Sequence, residues 1–330
     1  MDFTRAIKTV VHKPLWCEEA FPECIEDFIG NEDVCKSLYN SLDTISSSLL
    51  IVGPHGCGKT TFAKMIAKKL LGHNKSNLLE LYSSINRNKN YVGNKIHIDN
   101  KNIHDFINST NNNTLKLKLI IVYDIDTTTV DTQNIFCELL RKKNVNIIFT
   151  CNNIQNLNEN LLCSVMTLNM NCLSFSQTMD RLCIIEKQKN MSMSDDVKKA
   201  LCISCSGDLK KLFNIMQLLS GINGTVDIDS FYKLIDMPSY ECIKELLIFC
   251  DKGNVEIVFE KLNTILSNGY DITDILDIIE KTLIYIDIID ETFDTEKQNH
   301  MLSVVTQQLM FKGHTKIQLY NMVCEMCFIA

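Results

Sequence analysis

The sequence predicts an α/β fold, a parallel sheet with helices on both faces, followed by a small helical domain and then a larger all-helical one. Three features predict it. Four short apolar runs alternate with segments of helical spacing between residues 49 and 152. A glycine loop stands between the first run and the first long helix. Beyond Ser174 the strand-like runs stop and only helical periodicity remains. At 330 residues the chain suits two or three compact domains of about 100 to 200 residues each. The pattern places them at 1–173, 174–230 and 231–330.

Residues 1–48 are polar apart from apolar clusters around Trp16 and at Phe28-Ile29, and read as an arm leading into a short helix over 31–42. The first apolar run, 49–52, ends in Gly53-Pro54; after Gly58, residues Phe62, Met65, Ile66 and Leu70 recur at helical spacing. A second strand is expected over 78–81. Residues 86–113 are rich in Asn and Lys and read as an irregular or partly helical connection. The third run, 119–122, leads to Asp124; a helix fits 133–140; the fourth run, 145–150, ends at Cys151-Asn152. Helices over 175–189, 194–204 and 208–220 are punctuated by Gly207 and by 221–224 and form the second domain. The third contains helical segments over 239–250, 254–267, 272–290, 296–311 and 316–329, with apolar faces such as Leu262, Ile265, Leu266 and Ile275, Ile278, Ile279.

Composition bounds the function. With 45% hydrophobic and 22% charged residues and four prolines, a folded globular chain is expected rather than a disordered one. The net charge of -7 argues against coating nucleic acid by bulk electrostatics, so any such binding is local or shared with other subunits. The first residues lack the apolar core of a signal peptide, and no stretch approaches the roughly 18 apolar residues of a membrane span. The expectation is a protein of the cytosol, the nucleus or an equivalent reducing compartment, without a membrane partner. Fifteen cysteines scattered through apolar helical stretches then read as buried free thiols. The two CxxC pairs, Cys202/Cys205 and Cys324/Cys327, lie far apart within helical patterns, which argues against a zinc site.

The loop Gly53-Pro54-His55-Gly56-Cys57-Gly58-Lys59-Thr60 satisfies GxxxxGK[ST] at every fixed position and sits between strand and helix, as that chemistry requires. Glycines let backbone N–H groups converge on phosphate oxygens at a helix N-terminus, where the helix dipole also favours negative charge. Lys59 offers a mobile positive charge to the β and γ phosphates, and the Thr60 hydroxyl offers a magnesium ligand. The loop therefore implies a nucleoside triphosphate with Mg2+, with Thr61 next in line. Magnesium on such a loop needs a second anchor, usually an Asp at the end of a neighbouring strand, and Asp124 supplies it, directly or through water. Hydrolysis also needs a group that orients or deprotonates water, often a Glu directly after that Asp. Here Ile125 follows. Asp126 is short and out of phase for that role, and reads as a helix cap with Thr127.

With these residues in place, the chain resembles AAA+ proteins, and more narrowly the small subunits of the clamp loader replication factor C. The resemblance covers roughly residues 12–220 by motif, and the remainder only as a helical tail. Pro14-Leu15-Trp16 followed by Pro22 resembles the family's "W..KYRP", and Phe28-Ile29-Gly30-Asn31-Glu32 resembles "hhGQE", which lines the adenine pocket. The resemblance thus implies Ile29 and Gly30 as adenine contacts. The segment 79–84 followed by Arg87 resembles "E.NASD.RG", and Thr150-Cys151-Asn152 resembles the sensor 1 "CN" that meets the γ-phosphate region. Arg181-Leu182 and 206–214 resemble "RL" and the sensor 2 "GDhR..hN", with Lys210 where the motif has Arg. Lys210 keeps the charge but lacks the planar fork that grips phosphate through two hydrogen bonds. Asp124 and Asn152 take the Walker B and sensor 1 positions.

The resemblance implies ATP and Mg2+ as cofactors. It implies other clamp-loader AAA+ subunits, a sliding clamp and primer-template DNA as partners, the last through phosphate contacts at Arg87, Lys89 and Lys95, with Arg141 and Lys142 as further candidates. It implies a nuclear location, or a cytoplasmic one for a virus replicating there. Departures qualify it. Glu19-Ala20-Phe21-Pro22 replaces "KYRP", and Cys163-Ser164-Val165 stands where the family's Ser-Arg-Cys inserts an arginine finger into a neighbour's site. Such a finger is worth a factor of about 10³ to 10⁵ in other phosphoryl-transfer systems. The expectation is a clamp-loader subunit that binds ATP with little or no hydrolysis of its own. A non-catalytic AAA+ scaffold and a different AAA+ replication ATPase stand as alternatives.

Overall fold

The computed structural model describes residues 15–22, 24–42, 47–72, 75–82, 103, 106–107, 118–142, 145–221, 226–285, 294–310 and 315–328. The chain divides into two compact units, one made of Met1–Gln177 and Gly207–Asn214, the other of Thr178–Ser206 and Ile215–Ala330.

The first unit carries a five-stranded sheet: β1 (Leu49–Val52), β2 (Leu78–Tyr82), β3 (Lys118–Tyr123), β4 (Val145–Cys151) and β5 (Met166–Asn169). Their order is β2-β3-β4-β1-β5, and every neighbouring pair is parallel. Both faces of the central strands are covered, which is why they read as unbroken apolar runs. Alternate residues nevertheless go to opposite sides. Leu49, Ile51, Leu119 and Ile121 join Phe62 and Ile66 in one core, while Leu50, Ile120, Val122, Ile147 and Phe149 join Phe136 in the other. Sequence periodicity does not reveal β5: it is an edge strand of sequence MTLN in which only Leu168 is buried, so it lacks an apolar run.

Helices of this unit are α1 (Trp16–Glu19), α2 (Glu32–Ser41), α3 (Lys59–Leu71), α4 (Val130–Leu139) and α5 (Glu159–Leu162). Two more, α6 (Phe175–Gln188) and α8 (Leu209–Leu219), run across the boundaries between the units, and α7 (Asp195–Cys205) lies in the second. One expectation is overturned at α4. Its N-cap is Thr129, whose side chain accepts from Thr132 N–H, and not Asp126 with Thr127. Asp126 is buried in the preceding 3-10 turn, Ile125–Thr127.

The second unit continues with α9 (Ile228–Ile235), α10 (Tyr240–Asp251), α11 (Val255–Ser267), α12 (Ile272–Ile284), α13 (Thr295–Leu309) and α14 (Lys316–Cys327). Caps set the starts: Ser194, Ser239 and Asp294 accept first-turn N–H groups of α7, α10 and α13, and Thr315 with Gln318 forms a capping box on α14. The apolar faces of α10 to α14, including Leu246, Leu262, Ile275, Ile279, Val305 and Met322, close one buried core. The helix expected over 272–290 is α12 as far as Ile284; 286–293 lie outside the described residues. All fifteen cysteines are free. Among the described residues no helix is long and apolar enough to cross a membrane, and no group of three or more His, Cys, Asp or Glu could hold a metal ion.

Candidate nucleotide-binding site

Strand order brings the chemistry together. β3, β4 and β1 are neighbours, so Asp124, Asn152 and Gly53, each just past its strand, share one edge of the sheet. Ligands of open parallel sheets bind at this carboxyl edge. Gly53 N–H donates to Cys151 O at 3.1 Å, continuing the β1–β4 ladder by one step before the loop departs.

The loop is built for close approach. A Cβ on Gly53 would stand 2.5 Å from Met170 O, and one on Gly56 would stand 1.8 Å from Asp208 Oδ1. Gly56 and Gly58 also have φ of +70° and +98°, which side-chain-bearing residues adopt at a cost. Gly58 is the N-cap of α3 and has no side chain to satisfy the first-turn N–H groups, which leaves them for an anion. Lys59 is buried, and its Nζ donates to Gly53 O at 2.8 Å and Pro54 O at 2.6 Å. Pro54, His55 and Thr60 are exposed and Thr61 is half-buried, so the Thr60 hydroxyl is open to a metal ion. Cys57 is buried, and burial raises its thiol pKa. The glycine cradle and the donor set fit a magnesium nucleotide.

Asp124 leaves β3 in the left-handed region, φ 52° and ψ 52°, a conformation Asp tolerates better than most residues. Its N–H donates to Thr150 Oγ1 at 3.1 Å, and its Oδ1 accepts from Asn152 Nδ2 at 3.3 Å. The candidate magnesium carboxylate and the candidate sensor 1 amide are thus in direct contact. The motif that contains Thr150 does not reveal its bond to Asp124, although a hydroxyl inside an apolar strand, here fully buried, is a usable signal, because such a group requires a partner.

The adenine candidates lie beside the loop. Phe28, just before Ile29 and Gly30, is buried against Phe62, with ring centroids 5.6 Å apart, and lies 2.9 Å from where a Gly58 Cβ would be. Gly30, at φ +81°, packs on Leu173. Asn31 exchanges two hydrogen bonds with the backbone of Asn171, at 3.0 and 2.8 Å, pinning this segment to the chain after β5. From the sensor 2 segment, Leu209 N–H donates to Gly56 O at 3.3 Å and Asp208 Oδ1 caps Lys211 N–H at 3.0 Å. Asp208 and Leu209 touch the loop, while Lys210 is exposed.

The two departures have structural counterparts. Ile125 is fully buried among Phe136, Phe149, Cys151 and Leu161, facing the core. Cys163 and Ser164 are exposed, and with Arg141, Asn134 and Asn160 they line a shallow depression; Val165 packs on the core. Arg141 and Lys142 are exposed. The DNA candidates Arg87, Lys89 and Lys95 lie outside the described residues.

Residues 49–171 match the family "ATPase family associated with various cellular activities (AAA)". The sheet and the glycine loop thus belong to a part of the chain that is similar to AAA ATPases. Replication factor C subunits are among its curated relatives. Replication factor C subunit 4 of Schizosaccharomyces pombe is 26% identical over 325 residues, covering 96% of this chain and 92% of that one. Probable replication factor C subunit 5 of Caenorhabditis elegans is 26% identical over 302 residues, covering 88% and 81%. The replication factor C small subunit of Sulfurisphaera tokodaii is 25% identical over 258 residues, covering 77% and 76%. Among solved structures, the Thermotoga maritima RuvB Holliday junction branch migration motor superposes with a TM-score of 0.53 at 13% identity, covering 81% of this chain and 91% of that one. That likeness concerns the fold.

Proposed function

We propose that the chain is the ATP-binding subunit of a hetero-oligomeric clamp loader, acting with other AAA+ subunits to place a sliding clamp on primer-template DNA. The observation that carries this reading is the span of the replication factor C likeness, which reaches 96% of the chain and includes an intact nucleotide loop. In this reading Gly53 to Thr61 hold the phosphates and Ile29 and Gly30 border the adenine. Thr60 and Asp124 hold Mg2+, Asn152 meets the γ-phosphate end, and Lys210 stands at the sensor 2 position. The segments 174–230 and 231–330 act as lid and oligomerising collar. DNA is met through phosphates, with Arg87, Lys89 and Lys95 as candidates. The protein works where replication occurs, in the nucleus, or in the cytoplasm for a virus replicating there.

The buried Ile125 and the Cys163-Ser164-Val165 segment support a subunit that binds ATP with little turnover of its own. They equally favour a second reading, a nucleotide-stabilised AAA+ scaffold that loads no clamp. Purification with co-expressed partners separates the two, using Lys59→Ala as the control. Clamp loading on primed DNA that fails with Lys59→Ala supports the first reading. A complex that assembles and loads equally well with Lys59→Ala refutes a role for this subunit's ATP.

A further inference from the structure

Asp126 is a carboxylate that neither the nucleotide loop nor the helix that follows uses. It is 7% exposed, in the turn two residues beyond Asp124. Its Oδ2 accepts the N–H of Asn153 at 3.1 Å, while Oδ1 is buried and meets no hydrogen-bond partner among the described residues. A carboxylate held so is costly in a structural role alone, because burial without pairing is unfavourable. What it does hold is specific. Asn153 directly follows Asn152, the residue whose amide touches Asp124. Further along the same loop, Gln133 fixes Asn156 and Asn158 through Asn156 O at 3.2 Å and Asn158 N–H at 2.8 Å. Among the described residues, Asp126 is the tether on the peptide next to Asn152.

We propose that Asp126 is a positioning residue that holds Asn152 at the triphosphate end of the site, and thereby sets the preference for ATP over ADP. The inference rests on the nucleotide-binding reading above. Losing one buried charge-assisted hydrogen bond on that loop corresponds to about tenfold in affinity, and only for a nucleotide long enough to meet Asn152.

The test is titration of the full chain, in magnesium, with fluorescent N-methylanthraniloyl ATP and ADP. The expected result is that the wild type prefers ATP, and that Asp126→Ala lowers ATP affinity about tenfold while leaving ADP affinity in place. Asp126→Asn, which keeps an acceptor for Asn153 N–H, retains the preference. Asp126→Ser, too short to reach that N–H, behaves like Ala and replaces it should Ala fail to fold. An unchanged ATP to ADP ratio in the Ala or Ser variant overturns the proposal, as does equal loss of both nucleotides or a collapsed ratio in Asp126→Asn. A wild type that binds neither probe overturns the reading of the site itself, and this inference with it.

Discussion

Restoring a glutamate after Asp124, Ile125→Glu, is the obvious attempt to create an efficient ATPase, and the structure predicts that it fails. Ile125 is 0% exposed and packed among Phe136, Phe149, Cys151 and Leu161. Withdrawing that side chain from the core forfeits roughly 1.5–3 kcal/mol. Leaving a carboxylate in its place costs about several more, since breaking charge balance in an interior typically costs 3–5 kcal/mol. The alternative is to rotate the turn outward. That breaks the bonds from Thr127 N–H to Asp124 O at 3.0 Å, from Thr128 N–H to Ile125 O at 3.1 Å and from Thr128 Oγ1 to Ile125 O at 2.6 Å. The first route costs about 4.5–8 kcal/mol and the second about 3–7.5 kcal/mol, a large share of the roughly 5–15 kcal/mol that holds a domain folded. Ile125→Val, which keeps the apolar shape, should cost only about 0.5–1.5 kcal/mol. Urea denaturation followed by circular dichroism measures both, and steady-state phosphate release measures turnover. The expected result is a steep fall in midpoint for Glu, a small one for Val and no gain in hydrolysis. An Ile125→Glu protein as stable as wild type and hydrolysing ATP tenfold faster would show that the turn readily presents this position to the nucleotide, and would refute the reasoning.

Gly56→Ala puts a Cβ 1.8 Å from Asp208 Oδ1 and 3.0 Å from Asp208 Cα at φ +70°, so it should abolish tight nucleotide binding. Gly72→Ala, whose Cβ meets nothing within 4 Å, should cost about 1 kcal/mol of backbone strain and leave binding intact by equilibrium titration. Lys59→Ala removes the ammonium that bonds Gly53 O and Pro54 O; magnesium nucleotide affinity should fall roughly a hundredfold, with thermal stability little changed. Burial pushes the thiols of Cys35, Cys151 and Cys202 from 9.0 up to about 12. The stability this gives is complete below pH 9 and is lost as pH rises through about 12, at about 1.4 kcal/mol per pH unit for each thiol. Urea midpoints at pH 8 and pH 10.5 should differ accordingly, and replacing Cys151 with Ala should flatten the slope.

The parts of this molecule that its sequence discloses are those whose partners are close along the chain. The nucleotide loop is local, with every fixed position within eight residues, and buried parallel strands announce themselves as apolar runs. What escapes notice is set by partners brought in from elsewhere. Thr150 and Asn153 reach Asp124 and Asp126 from 26 and 27 positions away, and β5 completes the sheet with a sequence that has no apolar run. At the sensor 2 segment, the motif draws attention to the cation Lys210, yet Asp208 and Leu209 make the contact with Gly56. Ile125 is legible in the sequence as a departure from the motif it resembles but not as a core residue, and the difference matters. A missing catalytic group on an open surface could be replaced by one substitution. Here Ile125 is buried in the sheet's second core, so the position after Asp124 is part of the packing beneath the sheet edge, whereas Ser164, which stands where the resembled motif has its arginine, is exposed. Binding and catalysis are therefore opposed at Ile125: a glutamate there removes apolar contacts beneath the residues that would hold the nucleotide, whereas an arginine at the exposed Ser164 takes nothing from that core.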